Sequence, residues 1–234
     1  MLKSTHHPLQ GPLSPTVPLP PPDGAPLQAV YDAETAYLRA MRSGEAGPRW
    51  YSWLPHLSLS VSRREAQALG DLSAFTTEPV AIRQTGGTAV PQGPGTLNVS
   101  VIIRRPGPPA IRETYLELIA ALREGFAGMG LETVHGAREG SFCDGEFNLL
   151  HEGRKLVGTA QRWAGDGAGG SLCLMHCAVL AGGEPDWLCA RTEALYAACG
   201  QERHYDPDAH SGLRIDRSEL DAALAGPLGR LIEG

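Results

Sequence analysis

Four features of this sequence could do chemistry together: an arginine heading a glycine-rich run, a cysteine, a lysine and a histidine. The run is Arg83-Gln-Thr-Gly-Gly-Thr-Ala-Val-Pro-Gln-Gly-Pro-Gly-Thr-Leu-Asn98, with glycines at 86, 87, 93 and 95. Glycine lets a backbone approach a ligand closely and turn its N–H groups toward negative charge. Arg83 has the planar fork that can grip a carboxylate or phosphate through two parallel hydrogen bonds. On glycine content alone, a surface loop with a paired arginine would account for the same residues. The spacing is neither that of a P-loop nor that of a dinucleotide-binding turn.

Lys155 falls on a strand-like segment with Val157, Thr159 and Gln161 on the same face. An ammonium on a rigid strand can hold an acyl carbonyl or a phosphate and stabilise an oxyanion as a nucleophile attacks. Cys143 lies in Ser141-Phe-Cys-Asp-Gly145, shortly before that segment. A thiolate beside a lysine is favoured by the positive charge and is available for attack on a thioester. His176 sits in the apolar run 172–180, where a hydrogen-bonded core histidine and a ligand-facing one are both consistent with the pattern.

These residues need elements to position them. Residues 97–104 alternate, with Leu97, Val99, Val101 and Ile103 on one face of a strand and Asn98 and Ser100 on the other. Residues 112–128 read as an amphipathic helix whose stripe includes Tyr115, Leu118, Ile119, Leu122 and Phe126. Residues 147–151 and 155–163 read as a hairpin around Glu152-Gly153, and 172–180 as a further strand. Helices are expected at 31–43 and 186–199, short strands at 50–53, 57–61 and 79–83, and a helical turn within 67–75. The tail, 218–233, reads as one or two short helices broken at Pro227. Strands and helices mix without regular alternation, which predicts an α+β fold around a mixed β-sheet flanked by helices. The proline-rich residues 1–27 read as an arm, and 28–234 as a single catalytic-type domain.

Bulk properties narrow the function classes. A net charge of −6 and a pI near 5.7 argue against nucleic acid or a membrane surface as the main partner. No apolar run approaches the roughly 20 residues that span a bilayer, and the start lacks a signal-peptide core, so a cytoplasmic location is expected. The five cysteines show no C-x-x-C pair, so neither a zinc site nor a disulfide framework is expected.

Three segments, in order, resemble the lipoate–protein ligase A family, within the biotin/lipoate A/B protein ligase superfamily. In the first, Arg83, Thr85, Gly86, Gly87, Val90, Gly95 and Asn98 match the family's signature loop, which lines the acyl and nucleotide pocket. In the second, Asn148-Leu-Leu-His-Glu-Gly-Arg-Lys-Leu-Val-Gly-Thr-Ala-Gln161 is similar to the family's lysine-bearing hairpin, with Lys155, Gly158, Thr159 and Ala160 in place. In the third, Leu174-Met-His-Cys-Ala-Val-Leu180 is similar to a family strand, with His176 on its second histidine. Four departures stand out in the loop: Gln84 for an arginine, Thr88 for the third glycine, Gln92 for a histidine and Thr96 for an asparagine.

The resemblance implies the class II synthetase and biotin–lipoate ligase fold, and transfer of a lipoyl or octanoyl group to a lysine of a lipoyl-domain acceptor protein. The first expectation is the ligase form, in which ATP with Mg²⁺ activates lipoate or octanoate as an acyl adenylate held by Lys155 and the loop from Arg83; the other forms are alternatives to it. In the cysteine-dependent octanoyltransferase form, acyl carrier protein supplies the octanoyl group and Cys143 carries it as a thioester, although Cys143 stands closer to Lys155 in sequence than that form implies. A pocket-retaining binding protein without turnover is the third reading. Lipoate ligases often carry a further C-terminal domain that assists adenylation; without one, transfer from an already activated donor or help from a separate accessory polypeptide is expected.

Overall fold

A computed structural model of the chain describes residues 19–234, so the first eighteen residues of the expected arm lie outside the described residues. The framework is a six-stranded sheet of order β1-β5-β9-β8-β7-β6 beside a three-stranded sheet of order β3-β2-β4. The strands are β1 (Arg49–Trp53), β2 (Ser58–Ser62), β3 (Val80–Arg83), β4 (Val90–Gln92), β5 (Thr96–Arg105), β6 (Val134–His135), β7 (Leu149–His151), β8 (Arg154–Gly165) and β9 (Ser171–Leu180). The helices are α1 (Leu27–Arg42), α2 (Arg63–Leu69), α3 (Ile111–Gly128), α4 (Pro185–Ala198) and α5 (Arg217–Glu233). The fold is therefore α+β, as the sequence predicts. Every pairing in the large sheet is antiparallel, and the parallel pairing that makes the fold mixed is β2 with β3 in the small one.

β5 is the spine. It pairs with β9 along its whole length, from Thr96 opposite Leu180 to Arg105 opposite Ser171. Its odd positions Leu97, Val99, Val101 and Ile103 bury against Leu118, Leu122 and Phe126 of α3 and Leu224 and Leu228 of α5. The even positions Asn98 and Ser100 do not reach water either: Asn98 is 6% exposed and Ser100 is fully buried. Polar residues on a buried sheet face are costly unless hydrogen-bonded, and that face carries the cavity described below. Ile102 on the same face packs with Tyr51 and Trp53 of β1 and with Val30, Tyr31 and Met41 of α1.

The structure differs from the sequence reading in four places. The tail is one helix, α5, running through Pro227. A mid-helix proline costs about 3 kcal/mol, but Leu220, Leu224, Leu228 and Leu231 stay on one buried face across it. Gly125 lets α3 approach closely there, since a Cβ on it would meet Leu224 Cδ2 at 2.5 Å. The helical turn expected within 67–75 is instead α2, which starts at Arg63 and is capped by Ser62 Oγ accepting from the Glu65 N–H at 3.1 Å, followed by a separate 3₁₀ turn at Leu72–Ala74. The two- and three-residue strands β6 and β4 are too short to leave a period in the sequence. Finally, α1 begins at Leu27, four residues earlier than the stripe suggests. Among the described residues no helix is long and apolar enough to cross a membrane.

Candidate active site

The fold leaves a narrow cavity of about 40 Å³ over the even-numbered face of β5, between the two sheets. Its floor is made of small residues on paired strands: Gly158 faces Ala178 across β8 and β9, and Ala160 faces His176. Bulkier side chains at 158, 160 and 178 would fill this space. Of the residues singled out from sequence, Arg83, Val90, Asn98, Cys143, Lys155, Gly158, Thr159, Ala160 and His176 line it.

Lys155 rises from β8 at one end, 1% exposed. Its ammonium donates to the Phe142 carbonyl at 2.5 Å and to the Cys143 carbonyl at 2.9 Å. It folds back over the strand, and a Cβ on Gly158 would meet its Cε at 3.3 Å and its Nζ at 3.4 Å. Burial pushes the Lys155 pKa down to about 8, against the opposing pull of negative charge on Cys143 and Asp144.

Cys143 is half-buried beside it, with its backbone at φ +50°, a left-handed conformation that non-glycine residues adopt sparingly. Burial opposes ionisation of its thiol, but the charges of Lys155 and Arg83 and hydrogen bonds from Thr88 outweigh it and hold the thiol below its ordinary range. The other four cysteines go the opposite way: burial pushes Cys173, Cys177 and Cys189 up to about 12 and also raises Cys199. Only one thiol in the chain is thus set up to react as thiolate.

Arg83, 4% exposed, gives its donors to its own chain. Nε and Nη2 donate to the Gly86 carbonyl at 3.1 and 2.8 Å, Nη2 also to Thr88 O at 2.7 Å, and Nη1 to the carbonyl and hydroxyl of Ser60. All five N–H groups of a guanidinium are committed in this way. Arg83 therefore shapes the 86–88 turn and supplies a fixed positive charge to Cys143. The turn presses on the thiol: at Gly87, φ +95°, a Cβ would meet Cys143 Sγ at 2.4 Å and Arg83 Nη2 at 2.9 Å.

At the other end, His176 Nε2 lies 2.7 Å from Glu34 Oε2 and its Nδ1 3.1 Å from Thr85 Oγ1. Glu34 is fully buried in α1 and also accepts from the Tyr51 and Ser100 hydroxyls at 2.8 and 2.7 Å. Burial opposes its charge, but His176 and these donors outweigh it and hold the carboxyl below its usual range. Ionised Glu34 can only accept, so His176 Nε2 carries a proton.

Five of the residues identified from sequence stand behind the lining. Thr85 reaches it through His176, and Gly86 and Gly87 through Arg83 and Cys143. Asn148 donates to the Cys143 carbonyl at 3.2 Å and accepts from the Thr159 N–H at 3.3 Å, tying the cysteine loop to β8. Gly95 lies outside the cavity, where a Cβ would strike Gly183 at 2.1 Å; it lets the β4–β5 turn pack on that backbone. Of the loop's departures, Thr88 bonds the thiol, Gln92 accepts from Asn98 Nδ2 at 2.6 Å, and Gln84 accepts from Arg63 at 3.1 Å.

Sequence reasoning missed Tyr31, Trp53, Ser60, Phe142 and Leu180 in the lining, and Glu34 behind it. Glu34 left a signal, an acid among the buried positions Val30, Tyr31, Tyr37, Leu38 and Met41 of one helix. Among the described residues no three His, Cys, Asp or Glu side chains converge to hold a metal ion.

Residues 32–195 match the family model described as the lipoyl protein ligase A/B catalytic domain. The chain belongs to that family. It is 37% identical over 172 residues to an uncharacterised protein of Cupriavidus necator, covering 68% of this chain and 64% of that one. It is 37% identical over 123 residues to an octanoyl-[GcvH]:protein N-octanoyltransferase of Kyrpidia tusciae, covering 50% of this chain and 43% of the relative. The matches span less than two thirds of the length of these relatives. Among solved structures, lipoate–protein ligase A bound with ATP superposes with a TM-score of 0.62 at 19% identity, over 85% of this chain and 79% of that one. The bipartite lipoate protein ligase of Thermoplasma acidophilum gives 0.59 at 19% identity, over 86% and 78%. At these identities the structural likeness establishes the fold.

Proposed function

We propose that this enzyme moves an octanoyl group from a carrier protein to a lysine of a lipoyl-domain protein, through a thioester on Cys143 and without ATP. The observation that carries this reading is the thiol itself: the one lowered thiol of the chain stands in the cavity against Lys155, Arg83 and Thr88. Arg83 has no donor left for a nucleotide phosphate. The Kyrpidia tusciae relative is named for taking its octanoyl group from GcvH.

The Cys143 thiolate attacks the donor's acyl carbonyl, forming the C–S bond and a tetrahedral oxyanion. Two of the three Lys155 N–H groups serve the Phe142 and Cys143 carbonyls, which leaves the third for that oxyanion. As the intermediate collapses, the bond to the donor breaks and the departing thiol or amine takes a proton from Lys155, whose pKa near 8 suits both giving and taking one at neutral pH. The acceptor lysine, as free amine, then attacks the thioester. Its surplus proton passes to Lys155, and Cys143 leaves as thiolate.

The test is octanoyl transfer to an apo lipoyl domain, read by intact mass, with three donors in parallel: octanoyl-GcvH, octanoyl–acyl carrier protein, and free octanoate or lipoate with ATP and Mg²⁺. Gain from a carrier donor without ATP supports the reading and names the donor. Gain only from free acid with ATP and Mg²⁺ replaces it with the adenylate route. Acyl binding without gain from any donor replaces it with a binding protein.

A further inference from the structure

The nucleophile loop is held from a third side by a residue far away in sequence. His210 is fully buried and follows the 3₁₀ turn Pro207–Ala209. Its Nε2 accepts from the Phe142 N–H at 3.1 Å, and its ring stacks on the Phe142 ring with centroids 4.1 Å apart. Its Nδ1 donates to the Asp206 carbonyl at 2.9 Å. One nitrogen accepting and the other donating fixes a neutral Nδ1–H tautomer. The same segment is tied to the lysine: Ser211 N–H donates to the Lys155 carbonyl at 2.8 Å, and residues 155 and 210 form a parallel bridge.

Each peptide group around Cys143 is thus clamped. His210 takes the N–H before Phe142, Lys155 takes the carbonyls of Phe142 and Cys143, and Asn148 adds to the latter. These bonds hold Cys143 in its left-handed conformation, which a non-glycine residue keeps only where its surroundings enforce it.

We infer that His210 is a positioning residue, whose unprotonated Nε2 fixes the Phe142–Cys143 backbone so that the thiol faces Lys155 and Arg83. The inference rests on Cys143 being the reactive group, but not on the identity of donor or acceptor. The groups facing His210 are Lys155 from β8, Cys189 Sγ at 3.5 Å from α4, and Asp206 on its own turn. Burial and the Lys155 charge hold its pKa at about 4, so the acceptor persists throughout the working range.

The test compares wild type, His210→Phe and His210→Gln by the pH dependence of Cys143 alkylation with iodoacetamide, which needs neither donor nor acceptor. Phenylalanine keeps the stack but orphans the Phe142 N–H, whereas glutamine can return an acceptor near the Nε2 position. The expected result is an alkaline shift of the midpoint by about one unit in His210→Phe. Most of that shift is regained in His210→Gln. Where transfer is measured, kcat falls in His210→Phe with KM little changed. A folded His210→Phe protein with the wild-type midpoint overturns the inference. The wild-type protein supplies an independent check: ¹⁵N NMR at neutral pH should show Nε2 bare and Nδ1 protonated, and a protonated Nε2 overturns the inference even if neither variant folds. A wild-type thiol with an ordinary midpoint would instead count against Cys143 as nucleophile.

Discussion

The Lys155 ammonium grips the main chain of Cys143, its Nζ 2.9 Å from the Cys143 carbonyl oxygen. One buried cation therefore fixes the loop that presents the thiol and also supplies charge that favours thiolate. Twelve residues separate the two in sequence, and the hairpin turn at Glu152-Gly153, with φ +50° and +74°, folds the intervening chain back.

This pairing sets the pH dependence. The Cys143 thiol titrates below its ordinary range, so activity rises with pH through that lowered value. Lys155 loses its proton near 8, so activity falls above about 8 as oxyanion stabilisation and proton supply fade. A bell-shaped kcat/KM profile with its alkaline limb near 8 is expected; a profile still rising at pH 9 would show that protonated Lys155 is not needed.

Replacing Lys155 by Met keeps most of the volume but removes the charge and both carbonyl bonds. The alkylation midpoint of Cys143 should rise to or above about 8.5, where an unperturbed thiol titrates. Transfer should fall by about 10²–10³-fold, the effect of losing one oxyanion donor. Stopped-flow alkylation and single-turnover transfer read the two effects separately.

Glu34 lies on the far side of the cavity and is a test of structure rather than chemistry. Glu34→Ala leaves His176, Tyr51 and Ser100 without their shared acceptor, and should cost about 3 kcal/mol in denaturant unfolding. Because its folded pKa is lowered, the carboxylate stabilises the fold above its unfolded value near 4.5, and that contribution is lost as pH falls through the folded value. As pH falls below 4.5 and through the folded value, the difference between wild type and Glu34→Ala should shrink.

Gly87→Ala combines an unfavourable φ with a clash on the Cys143 thiol. The backbone term is roughly 1 kcal/mol, tolerable for folding, yet the methyl must displace Cys143 Sγ or Arg83. Transfer should therefore drop far more than thermal stability, measured on the same preparation.

Much of this arrangement was legible in the sequence because it lies on long, regular elements. The alternation in β5 separated the core-facing residues from Asn98 and Ser100, and the β7–β8 hairpin was legible. Lys155, however, does not share a face with Val157 as the pattern implies: a register shift at Leu149/Leu150 leaves Val157 in the core and Lys155 in the cavity. What stayed hidden depends on contacts between distant segments. His210 meets Phe142 across 68 residues, and no local pattern marks a histidine that accepts from a backbone N–H. Glu34 meets His176 across 142 residues, and an acid on a helix is usually solvated. Arg83 was legible as a functional arginine, but its commitment to Ser60, Gly86 and Thr88 emerges only from the fold of its loop.

The proposed transfer depends on a covalent octanoyl thioester at Cys143. The direct measurement is intact-mass analysis of the enzyme after brief exposure to an octanoyl-loaded carrier protein, without ATP or acceptor, followed by peptide mapping. The expected result is a gain of one octanoyl group on the peptide bearing Cys143, discharged when apo lipoyl domain is added and absent from Cys143→Ser. Full transfer to the acceptor by Cys143→Ser, with no acyl-enzyme in wild type, would contradict it.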